Sequence, residues 1–168
     1  MMTEALISII LRKNINTNEI DNYFWENDMT KLEKDLIRIK GHEVIYSKTG
    51  GGNSSILLIT LDNDYSLWAW CYWEIRRNEE LVACSEDDDT AVVGKMARTA
   101  NLLEKAKVID VAIYDKYELM LTFSNGFKLL LFTSEEYDFP NWEYWMPDMN
   151  RSYIITSKLE VKEEPYEY

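Results

Sequence analysis

The chain has 168 residues, of which 18 are basic and 30 acidic, so its formal net charge at pH 7 is −12. A surface of this charge repels phosphate backbones and anionic lipid headgroups, which argues against nucleic acid and membranes as partners. It favours a basic protein as the complementary partner. The length fits a single domain over residues 1–168, and 11 Tyr, 6 Trp and 5 Phe provide ring area for its core.

Cysteine use and the first apolar run bear on the compartment. Cys71 and Cys84 are the two cysteines, and two thiols without a secretory pattern are typical of a reducing compartment. The apolar run 5–11 is shorter than the roughly 20 residues of a membrane span. Glu4 precedes this run and Arg12 follows it, the reverse of a signal peptide's charge order. We therefore expect a cytoplasmic protein without a membrane span.

The first 40 residues predict two helices. Apolar residues fall at helical spacing within residues 3–13, although alternation in the same stretch also permits a strand. Thr30 and Glu33 have the spacing of a capping box and predict a helix start. Gly41 is the expected end of that helix, because glycine commonly terminates helices.

The hydrophobic period changes to two after the second helix, which indicates strands. A third helix, from residue 90 to about residue 105, is predicted between two groups of strands, and the charged tail 160–168 is expected to fray. Strands are predicted at 44–47, 56–61, 65–71, 73–76, 81–84, 108–114, 117–123, 127–132, 142–146 and 153–156.

Two stretches of the chain resemble each other. Residues 57–70 (LLITLDNDYSLWAW) align without a gap on residues 119–132 (LMLTFSNGFKLLLF). The aligned turns share an asparagine, and Asn125-Gly126 is a strong signal for a tight hairpin. The dipeptide Trp73-Glu74 recurs as Trp142-Glu143. These matches predict an internal duplication.

The expected fold class follows from this pattern. It is α+β, with two similar antiparallel β-meander units and helices at the N-terminus and between the units. The first unit is expected at about residues 36–85 and the second at about residues 103–157. The two units form either one continuous sheet or a sandwich.

Nucleophilic catalysis has few candidate residues. His42 is the one histidine of the chain, so any Ser-His or Cys-His arrangement has to use it. It directly follows Gly41 at a predicted helix-to-strand junction and is interpreted as a surface residue. Cys71 lies in the apolar run LWAWCYW, which does not favour a thiolate, and is interpreted as a core residue.

Phosphate and metal sites are also not favoured. The glycine run 50–52 is followed by a predicted strand and lacks the lysine of a phosphate loop, so a hairpin loop is expected. The acidic run 86–89 lacks the spacing of a calcium loop and precedes a predicted helix, where acids act as caps. We expect neither a metal nor a cofactor.

Two other features have a structural and a functional interpretation. Glu74 and Glu143 are equivalent positions that suit either a repeat or a pair of glycosidase carboxylates, and the repeat explains them without catalysis. Trp68, Trp70 and Tyr72 alternate along the sequence and are predicted to share one strand face. They belong either to the core or to an exposed aromatic anchor for a partner.

The segments WEI (73–75), FSNGFKL (123–129) and WEYWMPD (142–148) carry a family resemblance. Over about residues 57–156 the chain resembles small bacterial proteins that include immunity proteins of polymorphic toxin systems. The resemblance implies a non-catalytic binding protein that neutralises one cognate toxin. It brings no catalytic residues with it.

The predicted contacts with a basic partner are the acids that follow the β units. Those residues are Glu86, Asp87, Asp88, Glu135, Glu136 and Asp138. One alternative is a small-ligand or sugar-binding module with a pocket around Trp142, Glu143 and Trp73. Another is a structural or assembly protein with a self-complementary apolar face. An enzyme is the least favoured class.

Overall fold

The computed structural model describes residues 29–50, 55–87 and 93–166. Two compact units follow one another along the chain, Met1–Asp35 and Leu36–Tyr168. The predicted helix at residues 3–13, most of the glycine loop and the predicted start of the third helix lie outside the described residues.

The capping box predicted at Thr30 and Glu33 is confirmed. The Glu33 N–H donates to Thr30 Oγ1 at 3.3 Å, and the Thr30 N–H donates to the Glu33 carboxylate at 2.7 Å. Two N–H groups of the first helical turn are thereby satisfied. Helix α1 (Lys31–Leu36) starts here and continues as a 3-10 helix, Ile37–Ile39. Gly41 follows with a φ of +86°, a conformation that costs glycine little.

The described residues contain eleven β-strands and a second helix, α2 (Lys95–Asn101). The strands are β1 (Val44–Thr49), β2 (Leu57–Leu61), β3 (Ser66–Ala69), β4 (Tyr72–Arg77), β5 (Glu80–Cys84), β6 (Val108–Ile113), β7 (Leu119–Phe123), β8 (Phe127–Phe132), β9 (Trp142–Met146), β10 (Arg151–Ile155) and β11 (Val161–Glu164). The α+β class is confirmed, and antiparallel strands are the predominant secondary structure of the described residues.

The strands form a six-stranded sheet in the order β1-β2-β3-β9-β10-β11 and a five-stranded sheet in the order β5-β4-β8-β7-β6. Each predicted meander is therefore divided between the two sheets. Strands β1 to β3 are completed by β9 and β10 from the second half of the chain, and β6 to β8 are completed by β4 and β5 from the first half.

The division takes place at Trp70 and Cys71, where one strand was predicted over residues 65–71. Strand β3 ends at Ala69, and both backbone N–H groups of Trp70 and Cys71 donate to the Asn141 carbonyl, at 2.9 and 2.8 Å. The chain then enters the other sheet at Tyr72. The prediction that Trp68, Trp70 and Tyr72 share one strand is therefore wrong.

The two sheets have the same pairing register. In the six-stranded sheet Glu143 lies opposite Trp68, and in the five-stranded sheet Glu74 lies opposite Leu130. Trp68 aligns with Leu130, and Glu143 aligns with Glu74, in the sequence comparison of the two halves. Aligned residues therefore make equivalent pairs in the two sheets.

The starts of β1 and β6 are related in the same way. The Val44 N–H donates to the Ala106 carbonyl and the Val108 N–H to the His42 carbonyl, both at 2.9 Å. Each of these strands has a register shift directly after its first valine. This reciprocal pair of bonds joins an edge of one sheet to an edge of the other.

Two fully buried tryptophans also tie the sheets together. Trp73 of β4 donates from Nε1 to the Ser55 carbonyl before β2, at 2.6 Å. Trp142 of β9 donates from Nε1 to the Tyr117 carbonyl before β7, at 2.8 Å. Each indole therefore belongs to one sheet and bonds to a carbonyl in the segment just before a strand of the other sheet.

The core comes from one face of each sheet, where apolar side chains alternate along the strands as the period of two requires. In the six-stranded sheet these are Leu57, Ile59, Leu67, Ala69, Trp142 and Tyr144, and in the five-stranded sheet they are Trp73, Ile75, Leu119, Leu121, Leu129 and Leu131. Burial of such side chains from water is the main stabilising contribution to the fold.

Helix α2 is shorter than predicted. It covers Lys95–Asn101 within the predicted residues 90–105, and Gly94 is its N-cap residue. Met96 and Ala100 are buried as the apolar stripe predicts, but Val93 is 64% exposed and lies before the helix. No helix among the described residues is long and apolar enough to cross a membrane.

Part of the tail forms a strand, so the prediction that residues 160–168 fray is wrong for Val161–Glu164. Strand β11 pairs antiparallel with β10 over four residues, from Ile155 opposite Val161 to Ser152 opposite Glu164. Its charged residues suit an edge strand, since charges on an edge discourage further strand addition.

Candidate functional site

The acidic loop after β5 is used largely within the protein. The Asp87 carboxylate accepts the Cys84 N–H at 2.8 Å and pairs with Lys95 Nζ at 3.0 Å. Burial alone raises the Asp87 pKa, but these two partners together hold it below its ordinary value. Glu86 is exposed beside it, and Asp88 lies outside the described residues.

The second predicted acidic cluster is solvent-facing. Glu135, Glu136 and Asp138 are exposed in the loop between β8 and β9. In the described part of the chain none of the three forms an ion pair. They contribute negative potential without defining a pocket.

The residues considered for nucleophilic chemistry do not form a catalytic set. His42 is partly exposed, and its Nδ1 lies 2.6 Å from Asp62 Oδ1. Cys71 is 2% exposed, and burial raises the pKa of its thiol to about 12. No group of three or more His, Cys, Asp or Glu side chains among the described residues is arranged to hold a metal.

Glu74 and Glu143 lie in different sheets and have different neighbours. Glu74 is 8% exposed on β4, and its Oε2 lies 2.6 Å from Arg76 Nε. Tyr72 OH donates to the other carboxylate oxygen, Oε1, at 3.1 Å. Both oxygens of Glu74 are thus satisfied, and its charge is neutralised.

Glu143 on β9 has no such cation. Trp145 follows it at the position that Arg76 takes after Glu74, and Trp145 Nε1 donates to Glu143 Oε2 at 3.0 Å. Within the described residues no lysine or arginine forms an ion pair with Glu143. Its carboxylate is therefore partly buried without a counter-charge.

The environment of Glu143 disfavours its charged form. Burial raises the pKa of this carboxyl above its ordinary value, and the indole N–H groups of Trp145 and Trp70 offset part of the rise. The nearby Glu164 carboxylate raises the pKa further, because two negative charges repel. The attraction of a bound cation would offset the effects of burial and of Glu164 on this carboxylate.

Four partly exposed rings surround this carboxylate, and we call Trp70, Trp68, Trp145 and Tyr166 the aromatic row. The Trp68 ring is 6.1 Å from Trp70 and 5.3 Å from Trp145, between centroids. Tyr166 stands edge-on to Trp145 at 5.6 Å and 66°. The row lies on the face of the six-stranded sheet opposite its buried side chains.

The row also contains two buried donors, Trp68 Nε1 and Trp70 Nε1. Neither has an acceptor at hydrogen-bond geometry among the described residues, although the Trp70 N–H lies near enough to Glu143 to lower the pKa of that carboxyl. An unsatisfied buried donor costs about 1–3 kcal/mol. Such groups are uncommon in native proteins, and water or a ligand commonly supplies the acceptor.

An open cavity of about 380 Å³ adjoins the row at β9, β10 and β11. Its size falls within the range of ligand pockets. The lining includes two carboxylates and two aromatic rings, and Glu164 pairs with Lys162 beside it. The side chains that define it are Glu143, Trp145, Ser152, Ile154, Glu164 and Tyr166.

The pocket expected around Trp142, Glu143 and Trp73 is thus only partly present. Glu143 lines the cavity, whereas Trp142 and Trp73 are both 0% exposed and belong to the core. Trp145 and Tyr166 were not among the predicted site residues. The alignment of Trp145 with Arg76 was the available signal, because it shows that the second Trp-Glu dipeptide lacks the arginine of the first.

No protein-family model, curated protein or solved structure matches this chain. The site therefore has to be interpreted from its own geometry. It is an aromatic and acidic surface on an antiparallel sheet.

Proposed function

We propose that this protein is a non-catalytic binding protein that takes a basic polypeptide on the outer face of its six-stranded sheet. The observation that carries the proposal is the aromatic row beside a partly buried, unneutralised Glu143. The net charge of −12 adds attraction for a basic partner over longer distances.

Aromatic side chains suit such a contact surface. Tryptophan and tyrosine dominate the binding energy of many interfaces, because they cover much area with few rotatable bonds. Two of the four rings lie on neighbouring strands, Trp68 on β3 and Trp145 on β9, and Trp70 directly follows β3. The scaffold therefore fixes their positions before a partner arrives, which lowers the entropic cost of binding.

More specifically, we propose that the protein is an immunity protein and that its basic partner is a bacterial toxin. Neutralisation needs no catalytic set, only a surface that covers the toxin's working residues. The exposed acids Glu135, Glu136 and Asp138 would increase the rate of capture of a basic toxin rather than anchor it. Cytoplasmic residence belongs to the same proposal.

The test is binding to, and protection against, any toxin domain that a neighbouring gene encodes. The double variant Trp68→Ala, Trp145→Ala should bind at least about 100-fold more weakly, since single anchor residues contribute 2 kcal/mol or more. It should also lose protection on co-expression. Ile109→Ala is the matched control, an exposed apolar residue of the five-stranded sheet.

Thermal unfolding of each variant separates lost contacts from lost folding. Full protection by a folded row variant would reject the aromatic row as the contact surface. Absence of any basic partner would reject the proposed function as a whole.

A second candidate is a small-ligand module, and the cavity of about 380 Å³ is what favours it. Its acidic and aromatic lining fits a small organic cation better than a neutral sugar. Saturable binding of a small cation, with no binding of a basic polypeptide, would favour this candidate.

We further infer that the two β units, at about residues 36–85 and 103–157, arose by tandem duplication. The inference is supported by equal pairing registers, reciprocal bonds at Val44 and Val108, and equivalent indole bonds from Trp73 and Trp142. Convergence of two unrelated hairpins would not require the same long-range bonds. On this view Glu74 and Glu143 descend from one position, and their neighbours diverged.

A further inference from the structure

We propose that the cavity beside Glu143 is a guanidinium site, in which an arginine of the basic partner supplies the positive charge that Arg76 supplies to Glu74. This inference rests on the proposed function and specifies which chemical group of the partner is recognised. It assigns Glu143 as the anion, and Trp145 and Tyr166 as the rings that contact the cation.

The first step is the equivalence of the two positions. Glu74 and Glu143 occupy the same register position in their sheets, opposite Leu130 and Trp68 respectively. In the five-stranded sheet the fold supplies its own guanidinium, with Arg76 Nε 2.6 Å from Glu74 Oε2. Of two carboxylates at the same register position, the fold thus neutralises one with its own guanidinium and leaves the other without a cation among the described residues.

The second step is the open coordination of Glu143. Trp145 Nε1 satisfies Oε2 at 3.0 Å. Trp70 Nε1 is the other donor near this carboxylate, but it does not reach hydrogen-bond geometry. No donor among the described residues bonds to Oε1, whereas in Glu74 that oxygen accepts from Tyr72 OH. One carboxylate oxygen thus remains for a ligand, and an N–H bond to a charged acceptor is about twice as strong as a neutral one.

The third step is the shape and charge of the cavity. The Trp145 and Tyr166 rings meet at 66° along one side of it, and Glu164 lies in the same lining. A guanidinium is planar and weakly hydrated, so it stacks on aromatic faces while it bonds to carboxylates. Lys162 of the same strand already pairs with Glu164.

The test is a titration of 15N-labelled protein with hexa-arginine peptide and with hexa-citrulline peptide, which has the same shape without the charge. The side-chain N–H signals of the 6 tryptophans report the site directly. The Trp145 indole signal should shift with the arginine peptide, because its N–H bonds to Glu143. Citrulline peptide should leave it in place.

Glu143→Gln is the diagnostic variant, since it keeps the size and the acceptor of the side chain but removes its charge. It should weaken arginine-peptide binding by at least about tenfold. Glu160→Gln is the matched control, with the same loss of charge at an exposed position outside the cavity. It should bind as the unmodified protein does, and thermal unfolding should show that both variants are folded.

The outcomes separate the two proposals. Equal binding of arginine peptide to the unmodified protein and to Glu143→Gln, abolished by the double variant Trp68→Ala, Trp145→Ala, would overturn the guanidinium site and leave the proposed function standing. Equal binding of citrulline and arginine peptides would also overturn the site. No binding of arginine peptide and no basic partner would overturn both.

Discussion

Two glutamates at equivalent positions differ in the residue that contacts their Oε2 atoms. Glu74 has Arg76, and Glu143 has Trp145 in its place. The first carboxylate belongs to a closed ion pair that stabilises the folded chain. The second is partly buried without a counter-charge, which costs stability and leaves the charge available to a ligand.

Substitution by glutamine should therefore have opposite effects at the two sites. Glu74→Gln leaves Arg76 mostly buried without its partner and should lower the free energy of unfolding by about 3 kcal/mol. Glu143→Gln removes an unfavourable charge, so it should leave this free energy unchanged or raise it by up to about 1 kcal/mol at pH 7. Urea unfolding of both variants beside Glu160→Gln provides the measurement.

The pH dependence of folding stability also reports the uncompensated charge of Glu143. Because the Glu143 pKa is raised above its ordinary value of 4.5, the folded state keeps a proton that the unfolded state has lost as pH rises above that value. Stability from this group is full below pH 4.5 and declines as pH rises through the folded-state pKa. The decline should be absent in Glu143→Gln, and an unchanged profile would contradict the assignment.

Cys71 should be inert in the folded protein. The difference between its ordinary pKa of 9.0 and about 12 lowers the thiolate fraction roughly a thousandfold. In a Cys84→Ala variant, iodoacetamide at pH 8 should therefore label Cys71 only as fast as the chain unfolds, and denaturant should accelerate labelling. Fast labelling under native conditions, followed by mass spectrometry, would show that the thiol is accessible.

At the scale of elements, the turns of the two hairpins β2–β3 and β7–β8 share an asparagine and differ at the residue that follows it. Asn63 Oδ1 accepts the Tyr65 N–H at 3.2 Å, and Asn125 Oδ1 accepts the Phe127 N–H at 3.4 Å. The next position has a positive φ in both turns, +65° at Asp64 and +87° at Gly126. Glycine adopts this conformation without the steric cost that other residues carry.

Introducing a glycine in the first turn and removing the glycine of the second should change the free energy of unfolding in opposite directions. Asp64→Gly should stabilise the protein by about 0.5–1 kcal/mol, and Gly126→Ala should destabilise it by about 1 kcal/mol. A Cβ at Gly126 has no atom within 4 Å, so its cost comes from the backbone alone. Chemical denaturation measures both, and equal signs for the two variants would contradict this account.

Local signals predicted most of the elements but not their distribution between sheets. The Asn-Gly turn and the capping box depend on neighbouring residues, so the sequence contains them. The end of β3 depends on Asn141, which accepts both N–H groups of the crossover from far along the chain. Strand β11 was missed because charge is compatible with an edge strand as well as with a disordered tail.

The candidate site was predictable only in part for the same reason. Trp68 and Glu143 were each singled out in the sequence, but they face one another only because β3 pairs with β9. Tyr166 enters the site through β11, for which there was no sequence signal. The predicted acids at Glu86 and Asp87 follow a strand of the other sheet.

At the scale of the whole molecule, the two β units complete each other's sheets. Residues 36–85 and residues 103–157 each contribute strands to both sheets. Trp73 and Trp142 carry this arrangement, because each donates to a carbonyl that leads into the opposite sheet. Both are 0% exposed. Their contributions to stability should therefore be similar even though one is near the middle of the chain and the other near its end.

Trp73→Phe and Trp142→Phe should each lower the free energy of unfolding by about 2–4 kcal/mol, through a cavity and an unpaired carbonyl. The two values should agree within about 1 kcal/mol. Trp68→Phe is the comparison, since its indole donor has no acceptor to lose among the described residues, and it should cost less. A loss at only one of the two buried positions would contradict their equivalence.

The exchange of strands also determines when the fold can form. Strand β4 pairs with β8, and β3 pairs with β9, so neither sheet can close until most of the chain has left the ribosome. Contacts so distant in sequence give a high contact order and slow folding. During synthesis the strands of the first half are exposed without partners, which makes the nascent chain more prone to aggregation than its finished form.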